Sequence, residues 1–330
     1  MCDEIKKNGE SYYLISDAKR REMVKRSVAA ITDIYQNSIL KDSSRNSFMI
    51  KRMEDLADRT IWAMGEQLKC GDFVPFVFEH KFNMEVGDGD RKQLMSGTID
   101  RVDICENGTD VYVRIIDYKT GKKDFNIVKT YYGIDIQLMV YMEAAMKLVA
   151  KMRPGKNVIP AGVFYYNISD PIVSATTESA EEIEDKIKGE LHLKGMVNSD
   201  KDIAEKMDNT EGTSLNIPVS RKADGGFDSR RSKVMNTEQF NMLGRFVDVR
   251  AVDTADRIAG GDIRRSPYKD GQFSSCDRCP YGAVCGFSVD LPGCNYRKLK
   301  KFDDEVLWNN IEEGVDENGK KMDTGAEERD

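Results

Sequence analysis

The sequence lacks several features that would each define a class of protein. No run of about 18 uncharged apolar residues occurs, so no segment has the composition of a membrane-spanning helix and no membrane partner is expected. The first ten residues, MCDEIKKNGE, contain no apolar core like that of a secretory signal, which predicts a cytoplasmic location. The phosphate-binding motif G-x-x-x-x-G-K-[ST] is also absent, because TGKKD at 120–124 lacks its first glycine.

The acidic charge of the chain is concentrated at its C-terminal end. The formal net charge is −7 over 330 residues, with 40% hydrophobic and 32% charged residues, as is typical of a globular protein. From Asp303 onward there are 11 acidic and 3 basic residues, which leaves 46 acidic and 47 basic ones before it. Residues 303–330 are therefore predicted to form an acidic, largely disordered tail, and the remainder neither favours nor excludes a nucleic acid.

Hydrophobic periodicity divides the chain into helices and strands. A repeat of three and four residues predicts helices over 17–37, 45–69, 133–150, 178–194 and 237–260. Runs of β-branched and aromatic residues predict strands over 73–82, 97–105, 110–119 and 158–168. The polar stretch 219–236 is predicted to be a loop or a hairpin. This order of elements indicates an α/β or α+β core with helices packed around a sheet.

The stretch VYVRIIDYKTG, residues 111–121, places charged residues at the end of a strand that should be buried. Asn107 and Gly108 are predicted to be the two central residues of the preceding hairpin turn. That register makes Asp100 and Asp117 diagonal neighbours on one face, with Cα atoms roughly 7–8 Å apart. Lys119 shares this face because side chains alternate along a strand. The apolar half of the face is expected in the core, and the charged half forms a pocket.

Two carboxylates at this spacing suit a Mg²⁺ or Mn²⁺ ion. Such an ion polarises a phosphoryl oxygen and activates a water, and Lys119 would orient that water or stabilise transition-state charge. The alternative is a surface hairpin in which Asp117 and Lys119 only form an ion pair. Asp100 on the shared face favours the metal site. Arg101 and Asp103, on the opposite face, are expected to pair with each other or with a neighbouring strand.

Gln137 and Tyr141 are four residues apart, so they share one face of a predicted helix. Taken alone, they are an ordinary partly buried amide and phenol. Beside the charged pocket, they would position a DNA backbone or the attacking water.

Four of the seven cysteines lie within 19 residues near the C-terminal end. In a chain without a secretory signal, such a cluster favours metal or iron–sulfur ligation over disulfides. Cys276, Cys279 and Cys285 have C-x2-C-x5-C spacing, which suits an iron–sulfur cluster or, alternatively, zinc.

Three ordered motifs resemble the RecB-like branch of the PD-(D/E)xK nuclease superfamily: GTIDRVD at 97–103, IIDYKTG at 115–121 and QLMVY at 137–141. The resemblance implies an α/β fold with a restriction-endonuclease-like core, in which helices flank a mixed central sheet. It implies a helical region over 1–75, the nuclease core with inserted helices over 76–265, and a cysteine-cluster loop over 266–302.

Segments 59–75, 159–171, 276–287 and 291–302 further resemble the nuclease domain of AddB, the second subunit of AddAB helicase–nucleases, and the likeness covers roughly residues 17–311. This resemblance implies a metal-dependent exonuclease acting on single- and double-stranded DNA at duplex ends in double-strand-break repair, with an AddA-like partner subunit. It also implies Mg²⁺ or Mn²⁺ bound by Asp100, Asp117 and the carbonyl of Tyr118. Lys119 would be catalytic, assisted by Gln137 and Tyr141.

The cysteines resemble three of the four ligands of the family's [4Fe–4S] cluster, which would hold the C-terminal loop on the core. The family's first cluster cysteine and its metal-binding histidine would lie before residue 1. Cys2 and Cys294 are the open candidates for a fourth ligand. His80 and His192 are expected to be structural, and Glu79 is expected at the surface of a strand end rather than in the pocket.

Two other functions remain open at the level of sequence. A nuclease fold that has lost activity would act as a DNA-binding or subunit-docking module. The retained Asp100, Asp117 and Lys119 argue against it, because an inactive site has no reason to keep a desolvated charged pocket. A zinc-stabilised nucleic-acid-binding protein would rest on the cysteines alone.

Overall fold

A computed structural model describes residues 2–7, 11–34, 43–86, 92–174 and 178–316. The larger sheet has six strands in the order β1-β2-β3-β4-β5-β6. β2 and β3 are antiparallel, as are β4 and β5, whereas β3–β4 and β5–β6 are parallel. The strands are β1 (Val74–Val86), β2 (Gln93–Asn107), β3 (Asp110–Lys119), β4 (Asn157–Asn167), β5 (Lys194–Asn198) and β6 (Val234–Met235). The predicted α/β class with a mixed sheet and flanking helices is confirmed.

The predicted long helices are all present, with shifted ends. Side-chain caps fix several starts: Ser43 accepts from the N–H of Asn46, and Ser179 and Glu182 form a capping box. None of the helices in the described ranges is long and apolar enough to cross a lipid bilayer. The helices are α1 (Cys2–Lys7), α2 (Asp17–Ile34), α3 (Ser44–Lys69), α4 (Ile127–Tyr131), α5 (Gln137–Met152), α6 (Ala180–Glu190), α7 (Lys201–Met207), α8 (Thr237–Ala259), α9 (Gly282–Cys285) and α10 (Asp304–Asp316).

Several short elements were missed by the periodicity, among them β5, β6 and α7. β5 and β6 contain five and two residues, and α7 contains seven, too few for a periodic pattern to identify. The helix predicted over 133–150 begins later, at Gln137, because Gly133 adopts a φ of +72° and interrupts the helical backbone after α4. The last three residues of the helix predicted over 17–37 lie outside the described residues.

Both faces of the sheet are buried around β3. On one face, Cys105, Tyr112, Ile116 and Phe164 belong to a hydrophobic cluster that also contains residues of α3 and α7. On the other face, the alternating residues Val102, Ile104, Val113 and Ile115 are each at most 3% exposed. Asp100 and Asp117 continue this second face, where the apolar residues end.

The chain forms two compact units, each made of several segments. The first comprises residues 1–82, 96–125 and 141–241, and the second comprises 83–95, 126–140 and 242–330. The boundaries at 75, 265 and 302 therefore stay predictions.

The second unit contains a small sheet in the order β8-β7-β9, made of β7 (Tyr268–Asp270), β8 (Phe273–Ser274) and β9 (Arg297–Lys298). α10 lies within the segment 303–330 that was predicted to be a largely disordered tail. Its side chains Leu307 and Ile311 are buried, which an acidic composition alone does not reveal. Residues 317–330 lie outside the described part of the chain.

Candidate active site

The register of the β2–β3 hairpin differs by two residues from the predicted one. Asn107 pairs with Asp110, so the central turn residues are Gly108 and Thr109 rather than Asn107 and Gly108. Gly108 adopts a φ of +60°, which glycine reaches without steric cost. A shift by an even number of residues leaves every side chain on its predicted face.

Asp100 and Asp117 consequently lie opposite each other rather than diagonally. The paired register ends at Arg101 and Ile116, and its extension by one step brings Asp117 opposite Asp100. Directly opposed residues have Cα atoms roughly 4.5–5.5 Å apart, closer than diagonal neighbours. Asp100 Oδ2 also accepts a 2.7 Å hydrogen bond from the N–H of Tyr118, which ties the middle of β2 to the end of β3.

Asp117 is a buried carboxylate with one cationic neighbour. Its exposure is 2%, and its Oδ2 lies 2.6 Å from Lys119 Nζ. Although this ion contact is short, Oδ2 makes no hydrogen bond of acceptable geometry. Burial raises the pKa of Asp117 above its ordinary value; Lys119 opposes this effect, and the charge of Asp100 adds to it. A carboxylate in this state would gain from a further cation.

The donor set fits a hard divalent cation that retains water ligands. Mg²⁺ is commonly held by one or two carboxylates, with waters and substrate phosphates filling its other positions. The opposed Asp100 and Asp117 supply the two carboxylates, and the hydrogen-bond deficit of Asp117 Oδ2 leaves an oxygen to be satisfied. No third acidic, cysteine or histidine ligand joins them, since the described ranges contain no group of three or more such side chains placed to hold a metal ion.

Two residues near Lys119 were missed by sequence reasoning. Tyr165 pairs with Asp117 in the parallel β3–β4 register, and its ring is fully buried. Lys119 Nζ lies 5.7 Å and Lys123 Nζ lies 5.5 Å from the centroid of that ring. Only the strand register brings Tyr165 to the site, so the sequence carries no local signal for it.

The opposite face of the hairpin carries a buried ion network. Arg101 donates to both carboxylate oxygens of Asp103, at 2.7 and 2.6 Å, and Arg114 Nε donates to Oδ2 at 2.9 Å. All three side chains are at most 1% exposed. The predicted Arg101–Asp103 pair is confirmed, and Arg114 is an addition. Arg101 Nη1 also donates to Tyr118 Oη at 3.4 Å, which connects the network to the strand end that carries the site.

Tyr141 lies close to Gly97, the glycine of the GTIDRVD motif. Its ring contacts Phe82 edge to face, with centroids 5.8 Å apart. A Cβ on Gly97 would lie 2.9 Å from Phe82 Cε1 and 3.4 Å from Tyr141 Cε1, so a larger residue there would require the Phe82 ring to shift. Gln137 is the first residue of α5 and belongs to the second unit. The assisting roles of Gln137 and Tyr141 stay predictions.

Glu79 lies inside β1 rather than at a strand end. It is exposed, and its φ of +47° is the only positive value for a non-glycine residue in the described ranges. Partial burial and the charge of Asp100 raise the pKa of Glu79, so its carboxylate is within electrostatic reach of the site. His192 follows α6, where burial lowers its pKa. His80 lies in β1, and both histidines stay predicted structural residues.

None of the seven cysteines, which all lie in the described part of the chain, is joined in a disulfide. Cys276 and Cys279 lie at a short 3-10 helix, where the Cys279 N–H donates to the Cys276 carbonyl at 3.1 Å, and Cys285 ends α9. They do not form a ligand group, since no three-ligand set is found in the described residues. As arranged, the three thiols do not fit a [4Fe–4S] cluster, which needs four ligands.

The electrostatic coupling of the site is testable by titration of the cation-free chain. Replacing Lys119 by methionine should raise the pKa of Asp117 further, because the opposing ammonium is removed. Asp100→Asn should lower it, because a like charge is removed. A raised pKa means that Asp117 takes up its proton at a higher pH than an ordinary aspartate. ¹³C-carboxyl NMR measures these values. A pKa that moves in neither variant would show that the three groups do not share one pocket.

The chain is similar in sequence to one known family and to a set of named bacterial proteins. Residues 10–286 match the PD-(D/E)XK nuclease superfamily. Proteins named as a subunit of an ATP-dependent helicase/deoxyribonuclease are similar to most of the chain. The protein of this name from Thermoanaerobacter sp. (strain X514) is 34% identical over 296 residues, which are 86% of this chain and 25% of the relative.

Two further relatives carry the same name. That of Lachnoclostridium phytofermentans is 34% identical over 329 residues, 96% of this chain and 28% of the relative. That of Caldanaerobacter subterraneus subsp. tengcongensis is 35% identical over 311 residues, 91% of this chain and 26% of the relative. The chain therefore spans about a quarter of the length of these relatives. The chain has a mixed sheet and the three ordered motifs, and its residues 10–286 match the family model. It therefore belongs to the PD-(D/E)XK nuclease superfamily.

Proposed function

We propose that this chain is the nuclease domain of an AddAB-type helicase–nuclease and hydrolyses phosphodiester bonds of DNA at duplex ends. The observation that carries the proposal is the placement of Asp100 opposite Asp117, with Lys119 beside them on the same face. Two carboxylates and one amine at the end of a buried strand suit phosphodiester hydrolysis. The names of the relatives, which combine a helicase with a deoxyribonuclease, support DNA as the substrate.

The chain's own residues supply binding, orientation and charge. Asp100 and Asp117, with the Tyr118 carbonyl, would hold Mg²⁺ or Mn²⁺. When bound, this ion supplies Lewis acidity to the scissile phosphate and the attacking water. Lys119 would donate a hydrogen bond to the non-bridging oxygen that gains negative charge, and its contact with Asp117 holds the ammonium in place. Gln137 and Tyr141 would position the DNA backbone.

Activity at DNA ends is tested by comparing linear with covalently closed DNA. The chain should degrade linear duplex DNA when Mg²⁺ is added, leave the closed circle intact, and lose activity in EDTA. Loss of full-length substrate and release of short products on a gel measure this. Cleavage of both substrates at equal rates would contradict the exonuclease assignment. DNA binding with no cation-dependent product would instead favour the alternative, an inactive DNA-binding or subunit-docking module.

The wider setting of the proposal follows from the relatives and from the family resemblance. The proposed partner is an AddA-like helicase–nuclease subunit. The proposed process is double-strand-break repair, and the proposed location is the cytoplasm. Co-purification of the complete subunit with an AddA-like protein tests the proposed partner.

A cluster at Cys276, Cys279 and Cys285 stays a separate part of the proposal. Assembly would require the three thiols to converge with a fourth ligand, so the mechanism above includes no role for it. Anaerobic purification distinguishes the possibilities: a brown protein with visible absorption contains an iron–sulfur cluster, whereas a colourless zinc-containing protein supports the alternative metal. A colourless, metal-free protein contradicts both.

A further inference from the structure

The segment that follows β3 is anchored to the end of the neighbouring strand β4 by Asn167. The Lys123 N–H donates to Asn167 Oδ1 at 2.9 Å, and Asn167 Nδ2 donates back to the Lys123 carbonyl at 3.0 Å. The Ile168 N–H donates to the Lys119 carbonyl at 2.8 Å. These bonds fix the backbone at both lysines against the end of β4, although Gly121 lies between them.

The two lysines reach the same aromatic ring. Tyr165 is fully buried beneath the site, and the Nζ atoms of Lys119 and Lys123 lie 5.7 and 5.5 Å from its centroid. Cation–π contacts hold ammonium groups while leaving N–H bonds directed at other acceptors. Tyr165 is also the register partner of Asp117, so both positive charges are located beside the buried carboxylate.

The residues on either side of Lys123, Lys122 and Asp124, make other contacts. Lys122 is exposed and lines a separate groove with Ser169, Glu182 and Lys186. Asp124 is engaged by Lys233 Nζ at 2.5 Å. In the described part of the chain, Lys119 and Lys123 are the two lysines of KTGKKD whose Nζ atoms lie over the Tyr165 ring.

We propose that Lys123 is a second phosphate-binding residue of the site, which holds a phosphodiester of the bound DNA strand beside the one that Lys119 contacts. Asn167 is its positioning residue. Lysine binds phosphate as a compact charge with rotatable donors, which suits successive phosphates of a flexible strand. The inference rests on the proposed nuclease function for the identity of the ligand, but not for the existence of the anion site.

Lys123→Ala and Lys122→Ala make a matched pair, because each removes one positive charge at adjacent positions. Lys123→Ala should raise KM for linear DNA about tenfold and leave kcat within about threefold, since one charge-assisted contact is lost in substrate binding. It should also reduce the slope of log affinity against log salt by about 1, measured with a fluorescent single-stranded oligonucleotide in EDTA. Lys122→Ala should change KM, kcat and the salt slope each by less than twofold.

Two further variants separate charge from structure. Lys123→Arg should recover most of the affinity, whereas Asn167→Ala should weaken binding while circular dichroism shows that the chain remains folded. If the arginine variant binds as weakly as alanine, or if Lys123→Ala and Lys122→Ala behave alike, the phosphate role of Lys123 is wrong. If the wild-type chain binds the oligonucleotide through Lys123 but never cleaves DNA, the proposed function fails and the anion site stands.

Discussion

Replacing Lys119 by alanine should lower kcat for cleavage of linear DNA by about 10²–10³-fold, the usual effect of removing one donor aimed at transition-state charge. Asp117→Ala should reduce activity at least as much, because the buried carboxylate provides both the proposed cation ligand and the partner of Lys119 Nζ at 2.6 Å. Single-turnover cleavage of an end-labelled duplex in Mg²⁺ measures the chemical step without product release.

The matched control for this loss is Lys122→Ala, which removes an exposed lysine three positions further along the same segment. It should retain wild-type kcat. Circular dichroism and the unfolding midpoint should show that the Lys119 and Asp117 variants remain folded. Wild-type cleavage by a folded Lys119→Ala or Asp117→Ala chain would place the active site elsewhere.

Replacing Asp103 by alanine should lower the free energy of unfolding by about 3–5 kcal/mol, the usual cost of removing one partner from a buried ion network. The substitution leaves the fully buried guanidinium groups of Arg101 and Arg114 without their carboxylate. Arg114 has few other contacts that could replace the lost carboxylate. Its Nη1 and Nη2 already lack hydrogen-bond partners, and its guanidinium lies 4.8 Å from the Phe73 ring centroid. Urea denaturation at constant pH measures the change.

Glu106→Ala is the control on the same hairpin, because this acid is 45% exposed and pairs with Arg153 at 2.8 Å. Its cost should be far smaller than that of Asp103→Ala, because water screens an exposed ion pair. If Asp103→Ala fails to fold, Asp103→Asn, which keeps an acceptor of similar shape, should fold with an intermediate loss. Equal unfolding free energies for the Asp103 and Glu106 variants would contradict the structural importance of the network.

The stabilisation by Asp103 should depend on pH in a definite direction. Burial raises the pKa of Asp103, but Arg101 and Arg114 overcome this effect and hold it below the ordinary value. A lowered folded-state pKa means that the stabilisation is present above the ordinary carboxyl pKa and is lost as pH falls through the folded value. The difference between wild type and Asp103→Ala should therefore shrink in acid.

The hairpin shows how far local reasoning reaches. Alternation along β2 and β3 placed Asp100, Asp117 and Lys119 on one face, and the error of two residues in the strand register preserved that placement. The turn itself was misplaced because Asn-Gly is a statistical signal, whereas the observed turn uses Gly108 and Thr109. The same error misjudged the separation of the aspartates, which is set by the register and not by which face they occupy.

The sequence by itself determined an α/β or α+β core, the long helices and strands, the motif residues and the face that Arg101 shares with Asp103, because periodicity and alternation depend on near neighbours in the chain. Only the tertiary structure decided that Tyr165 and Lys123 lie beside Asp117, that Arg114 completes the buried network, and that part of the acidic end is a packed helix. Each of these contacts joins residues from different elements. Their distances depend on strand order and packing, which no local pattern encodes.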